Sequence, residues 1–166
     1  MDALPELLFS HAANPAQSKR VRRMAADGRV RKLYAGVYTS NLDGPADAIV
    51  LRHWQPIAGH LLPGGVVSHR SAFDGRPHDG RLVITRGRTR RTLALPSLTI
   101  EVLPGPAPVT EGTMRDAPYG GLYISSERRR FLENLTRGRA WARRVVPQEV
   151  LEVHWKRCCR CVASTG

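Results

Sequence analysis

The 166 residues carry 26 Lys and Arg against 14 Asp and Glu, a formal net charge of +12, with 42% hydrophobic and 6% aromatic residues. A chain of this length and apolar content is expected to bury roughly two thirds of its unfolded surface, as one compact domain or a small module joined to a larger one, which excludes intrinsic disorder. No run approaches the roughly 18 to 20 apolar residues of a membrane span, and MDALPELLFSHAANP lacks the basic start and long apolar stretch of a secretory signal, so a cytoplasmic location is expected.

Ser18 opens the first predicted helix as its cap, with Val21, Met24 and Ala25 at the i, i+3, i+4 spacing of an apolar stripe and Lys19, Arg20, Arg22 and Arg23 on other faces. Gly28 stands where the helix should end. RVRKLYAGVYTS then reads as two short strands around Ala35-Gly36. Residues 18 to 32 together hold seven Lys and Arg and one acid. A basic helix running into a basic hairpin is the layout of a winged helix-turn-helix, helix in the major groove and wing on phosphates or the minor groove. The expected DNA contacts are therefore Lys19, Arg20, Arg22 and Arg23 on the helix, with Arg29, Arg31, Lys32 and Tyr34 on the wing. The residues ahead of Lys19 leave room for one further helix at most, so the winged helix is read as reduced.

Asn41, Asp43, Gly44 and Pro45 mark a boundary. From Ala46 to Leu62, apolar residues at Ile49, Val50, Trp54, Ile57, Ala58, Leu61 and Leu62 predict one long amphipathic helix, ended by Pro63-Gly64-Gly65 and wide enough in its stripe to cover a sheet. GVVSHRSAF reads as a short buried strand turning into a short helix, and RLVITRG, RRTLALP and LTIEVLP as successive strands. Residues 81 to 91 hold five Arg and no acid, which makes Arg88, Arg90 and Arg91 a second candidate basic patch. Pro104 to Pro118 reads as a loop and GLYIS as a strand. Ser125 or Ser126 then starts a helix through Leu135, with Phe131, Leu132 and Leu135 turned inward. Residues 128 to 144 hold seven Arg and one acid. A last helix is expected over Val146 to Lys156, with Pro147 in its first turn, and residues 157 to 166 are expected to be disordered. Outside the three basic runs the chain has seven basic and twelve acidic residues, so its basicity is local, as in polyanion-binding patches.

The stretch SKRVRRMAADGRVRKLYAGVYTSN resembles the winged-helix start of AbiEi-type antitoxins. LLPGGVVSHRSAF, a strand run and GLYISSERRRFLENL resemble the core of the same family. The likeness spans roughly residues 17 to 140, and its wording is most like the AbiEi-like region found ahead of Fic domains in bacterial proteins. It implies a DNA-binding transcriptional regulator resembling the antitoxin of a type IV toxin-antitoxin system, with operator DNA and a cognate toxin or Fic-domain protein as partners. The alternative is the regulatory, protein-binding module of a Fic-type enzyme without its catalytic domain, because the Fic motif H-P-F-x-x-G-N-G-R is absent. The change of composition into HWKRCCRCVASTG is expected of a truncated or frame-altered end.

No constellation supplies a catalytic centre. Ser68 and His69 are adjacent, and adjacent residues rarely face each other; without a G-x-S-x-G elbow, His69 is expected to be a buried hydrogen-bonding residue at the strand-to-helix turn. Asp74, His78 and Asp79 lie in a Gly/Pro loop and read as turn residues rather than metal ligands. Glu101 stands alone on its strand, and Gly64-Gly65 and Gly120-Gly121 lack the Lys and spacing of a phosphate loop. His154, Cys158, Cys159 and Cys161 form H-x3-C-C-x-C, one short run instead of the two separated pairs that wrap zinc, so free thiols are expected. The expectation is a non-enzymatic α/β (α+β) protein with no cofactor or metal. It has a reduced winged helix over 1–42, a small mixed α/β antitoxin-like domain over 43–140, and a C-terminal helix with a poorly ordered tail over 141–166.

Overall fold

A computed structural model describes residues 4–11, 13–135 and 143–163, with side chains as far as Lys156. The chain begins with a strand, β1 (Leu7–Phe9), a helix, α1 (Pro15–Ala26), and a hairpin of β2 (Arg31–Tyr34) and β3 (Val37–Thr39). β3 lies between β1 and β2 in an antiparallel sheet. α1 starts three residues earlier than Ser18. Asn14 is the cap, its side chain accepting from the Gln17 amide at 3.0 Å, and Pro15 follows with its backbone already set for a helix. Ser18 is instead buried within the helix, its hydroxyl donating to the His11 carbonyl at 2.7 Å. Val21 and Met24 close a small core with Val30 and Tyr38.

The single helix expected over Ala46 to Leu62 is two, α2 (Ala46–Arg52) and α3 (Trp54–Leu61), which meet at His53. Pro56 explains the break: it has no N–H to give the Arg52 carbonyl, and its ring crowds that carbonyl. Next come β4 (Val66–Val67), α4 (His69–Asp74), β5 (Arg81–Thr85), β6 (Arg91–Leu95), β7 (Leu98–Leu103), β8 (Ala117–Tyr119), β9 (Leu122–Ile124), α5 (Glu127–Asn134) and α6 (Gln148–Ala163). The second sheet is mixed, in the order β6-β7-β5-β4-β9-β8, with β5/β7 and β4/β9 parallel. β8 begins within the end of the expected Pro-rich loop and runs one residue beyond it. It pairs with β9 at the sheet edge, where the missing N–H of Pro118 disrupts no ladder.

Ile49, Val50, Ile57, Ala58 and Leu62 of α2, α3 and the turn after them share one core with Leu82, Ile84, Ile100, Val102 and Leu122 of the mixed sheet. Leu33 and Val37 join it from the first sheet, so the N-terminal unit sits on the same apolar interior. Its docking is also polar. Glu6 meets Asn41, Arg52 and His53, and hydrogen bonds from Asn41 and then His53 hold its carboxyl below the usual carboxylate range. Phe9 stacks on His60 of α3 with ring centroids 4.6 Å apart.

Two expectations at the C-terminal end are corrected. Leu132 and Leu135 do not face inward but are 58% and 47% exposed, while Arg129 and Asn134 take the buried side of α5. The last helix continues past Lys156 to Ala163, so 157–163 are helical where disorder was expected. The side chains of Cys158, Cys159 and Cys161, like residues 164–166 and Arg137 and Arg139 of the third basic run, lie outside the described residues. Among the described residues no helix is long and apolar enough to cross a membrane.

Candidate nucleic-acid interface

α1 divides by charge. Ser18, Val21 and Met24 are buried, whereas Lys19, Arg20, Arg22 and Arg23 are all exposed. Lys19, Arg22 and Arg23 recur at i, i+3 and i+4 and so form one stripe, with Arg20 exposed beside it. That stripe lines an open groove of about 940 Å³ whose other wall is Ser10, His11 and Gly36, from the end of β1 and the hairpin turn. None of the four cations makes an ion pair with a described residue.

The eight residues expected to meet DNA do not all reach the surface. Arg29 and Lys32 are exposed. Arg31 is turned back on the fold, its guanidinium donating to the Gly44 and Asn41 carbonyls and tying the hairpin to the loop before α2. Tyr34 is half-buried against the main core. The hairpin tip does not project freely either. Gly36 takes a left-handed backbone (φ +79) that favours glycine, and a Cβ there would sit tightly, 3.3 Å from His60 Nε2 and 3.4 Å from the Ser10 carbonyl. His60 is pushed below its ordinary pKa by burial and then by His11, which meets it edge-on at 4.5 Å.

Arg88, Arg90 and Arg91 are exposed on the β5–β6 connection and the first residue of edge strand β6. Three other arginines of the second and third basic runs are used differently. Arg81 and Arg144 grip Glu101 from two sides, so Glu101, expected to stand alone, is the centre of a buried ion cluster. Arg129 pairs with Asp116 at 2.6 Å and with Glu133 at 2.9 Å. Asp116 in turn accepts from the amides of Val109 and Ser126, both at 2.9 Å. Apart from Arg129 with Glu133, four residues apart on α5, sequence spacing gave no sign of these pairs, because they join β5, β7, α5 and two loop residues far apart in the chain.

The Ser68-His69 pair is built into the turn between β4 and α4. Thr85 Oγ1 donates to Ser68 Oγ at 2.8 Å, and His69 Nδ1 lies 3.0 Å from the same oxygen. The His69 amide donates to Glu133 Oε2 at 3.1 Å. Burial, and then the Arg144 and Arg129 charges, push the imidazole down to about 4, so it is neutral at neutral pH and Nδ1 can accept a hydrogen bond from the Ser68 hydroxyl. Burial raises the Glu133 carboxyl above its ordinary value, against the His69 amide and Arg129. His69 has φ +53, a left-handed backbone that costs a non-glycine residue of order 1–3 kcal/mol and that these bonds hold in place. Ser68 is fully buried, with its hydroxyl engaged on both sides, so the pair fixes the turn, as expected of His69.

His78 links the two carboxylates of its loop, Nδ1 to Asp74 at 3.1 Å and Nε2 to Asp79 at 3.2 Å. Among the described residues no group of three His, Cys, Asp or Glu side chains is arranged to hold a metal ion. Comparisons with protein-family models, with curated proteins and with solved structures find no match for this chain.

Proposed function

We propose that the chain is a DNA-binding transcriptional regulator of the antitoxin type, with α1 as the helix that enters the major groove. One observation carries this reading: the cations of α1 are exposed and free of ion pairs with described residues, whereas Arg81, Arg129 and Arg144 of the other basic runs neutralise buried acids. Charge held on a surface without a counter-charge attracts phosphate and releases the ions condensed on it. An α-helix such as α1, about 10–12 Å across with its side chains, fits the roughly 12 Å width of the major groove, and the order helix, strand, turn, strand with β1 beside β3 supports a reduced winged helix. Arg29 and Lys32 supply further phosphate contacts beside the helix. Arg88, Arg90 and Arg91 offer a second basic surface for a longer duplex. Operator DNA, and a cognate toxin encoded beside it, are the partners of this reading.

Fluorescence anisotropy of a labelled duplex against the purified chain, repeated across salt concentrations, tests it. With four to six phosphate contacts, the log of the binding constant falls against log salt with a slope of about −4 to −5. Arg22→Glu with Arg23→Glu weakens binding to every duplex and flattens that slope by about two. Binding no tighter than about 10⁻⁴ M at low salt, weaker than ordinary non-specific association, overturns the proposal.

A further inference from the structure

The mixed sheet ends in two edges of different kinds. β8 is three residues long and carries Pro118, which has no N–H to offer a further strand. β6 runs for five residues, Arg91–Leu95, without a proline, and among the described residues no strand lies on its outer side. The bonds of its neighbour β7 show which backbone groups of β6 are open. The Thr99 amide donates to the Gly80 carbonyl at 2.7 Å and the Leu103 carbonyl accepts from the Arg86 amide at 2.9 Å, so residues 99, 101 and 103 turn their backbone toward β5 and residues 98, 100 and 102 toward β6. Arg91, Leu93 and Leu95 lie opposite Val102, Ile100 and Leu98 and bond to them, which leaves the N–H and C=O of Thr92 and Ala94 directed out of the sheet. Thr92 and Ala94 are both exposed.

Arg88, Arg90 and Arg91 stand at the entry to this open stretch, all exposed and none in an ion pair with a described residue. Charged residues commonly guard an edge strand against pairing. Here they gather at one end, and Thr92 to Ala94 beyond them carry no charge, so the arginines select a partner more than they close the edge. A second copy of β6 brings the same cations and no acid, and is repelled. Phosphate suits the arginines but not the strand: its oxygens only accept, whereas the Thr92 and Ala94 carbonyls need donors. An extended peptide offers donors and acceptors in alternation, and carboxylates on it meet the arginines.

We infer that β6 takes an extended acidic segment of a partner protein as a seventh strand of the sheet, with the Thr92 and Ala94 backbone as the ladder and Arg88, Arg90 and Arg91 as the carboxylate contacts. The inference does not rest on the DNA reading of α1 and is measured without DNA. The probe is a fluorescently labelled synthetic peptide in which Glu alternates with Thr and Val, titrated with the full chain at about 0.15 M salt, where charges more than about 8 Å away are screened. Anisotropy should show saturable binding, at least about tenfold weaker when Lys replaces Glu in the peptide. Because the whole chain is basic, position is tested as well as charge. Arg88→Glu with Arg90→Glu and Arg91→Glu weakens binding at least about tenfold, whereas Arg22→Glu with Arg23→Glu on α1 leaves it within about threefold. Thr92→Pro removes one outward N–H without touching the β6/β7 ladder and also weakens binding at least about tenfold, in a chain that still unfolds cooperatively. On the wild-type chain, hydrogen exchange at the Thr92 and Ala94 amides slows at least about tenfold with the peptide bound, a readout that needs no variant. A chain that does not bind the acidic peptide overturns the inference and leaves the arginines as guards of the edge, or as duplex contacts if their triple variant loses DNA binding. Peptide binding weakened equally by the α1 variant, or with the Thr92 and Ala94 amides exchanging as before, is charge attraction alone and overturns it too.

Discussion

Asp116 and Arg129 meet as a buried ion pair, Oδ2 to Nη1 at 2.6 Å, with the Asp116 side chain wholly enclosed. Because Asp116 also takes the Val109 and Ser126 amides, it ties the long loop before β8 to the start of α5. Asp116→Ala leaves two amides without their acceptor and the Arg129 guanidinium with Glu133 alone, in a site closed to water. A loss of about 3–5 kcal/mol is expected, the cost of removing one member of a buried pair. Urea unfolding followed by circular dichroism measures it, and an unchanged midpoint contradicts this role for the pair.

His69 makes stability depend on pH. The unfolded chain takes up a proton near pH 6.5, whereas the folded imidazole resists it down to about 4, so stability falls as the pH falls through that window. Over the full shift the loss is about 3 kcal/mol. Glu133 acts in the opposite sense, since its raised pKa weakens the fold as the pH rises above 4.5. His69→Asn separates the two: Asn tolerates the left-handed backbone and offers an acceptor where Nδ1 stands, but it does not titrate. Between pH 7 and pH 5 the wild-type melting temperature should fall further than that of His69→Asn. Parallel curves would remove His69 as the cause.

Gly59 decides how closely α3 approaches the β8–β9 turn, since a Cβ there would lie 2.5 Å from the Gly120 carbonyl. Backbone on both sides leaves nothing soft to yield. Gly59→Ala, which would favour an isolated helix, should instead destabilise the chain by about 1–3 kcal/mol through overpacking. Thermal unfolding decides the sign, and a rise in melting temperature contradicts the contact.

The parts of the fold that were legible in the sequence are those set by local period and punctuation. Alternating apolar residues and Gly/Pro turns place β5, β6 and β7, and Ala35-Gly36 places the first hairpin. The break at Pro56 was legible too, but the apolar stripe from Ile49 to Leu62 runs across it and hides it. The inward side of α5 was not legible. Leu132 and Leu135 have the right spacing for a core, yet Arg129 outcompetes them because Asp116 and Glu133 wait for it inside. The same physics divides the expected DNA contacts. Composition counts Arg22 and Arg31 alike, and only the tertiary fold brings the Gly44 and Asn41 carbonyls to Arg31.

That division predicts opposite phenotypes for two arginines nine positions apart. Arg22 is exposed on the α1 stripe, so Arg22→Ala should leave the melting temperature within about 1 °C while flattening the salt dependence of duplex binding by about one unit. Arg31 gives its guanidinium to backbone carbonyls, bonds worth about 1.5–3 kcal/mol when the donor is charged, so Arg31→Ala should lower the melting temperature by several degrees. Measured well below its own melting temperature, Arg31→Ala should keep the wild-type salt slope, because its charge is directed into the fold. Differential scanning fluorimetry and anisotropy titrations on both variants give the comparison. If Arg31→Ala flattens the slope and Arg22→Ala does not, the hairpin rather than α1 carries the phosphate contacts, and the major-groove assignment of α1 must be given up.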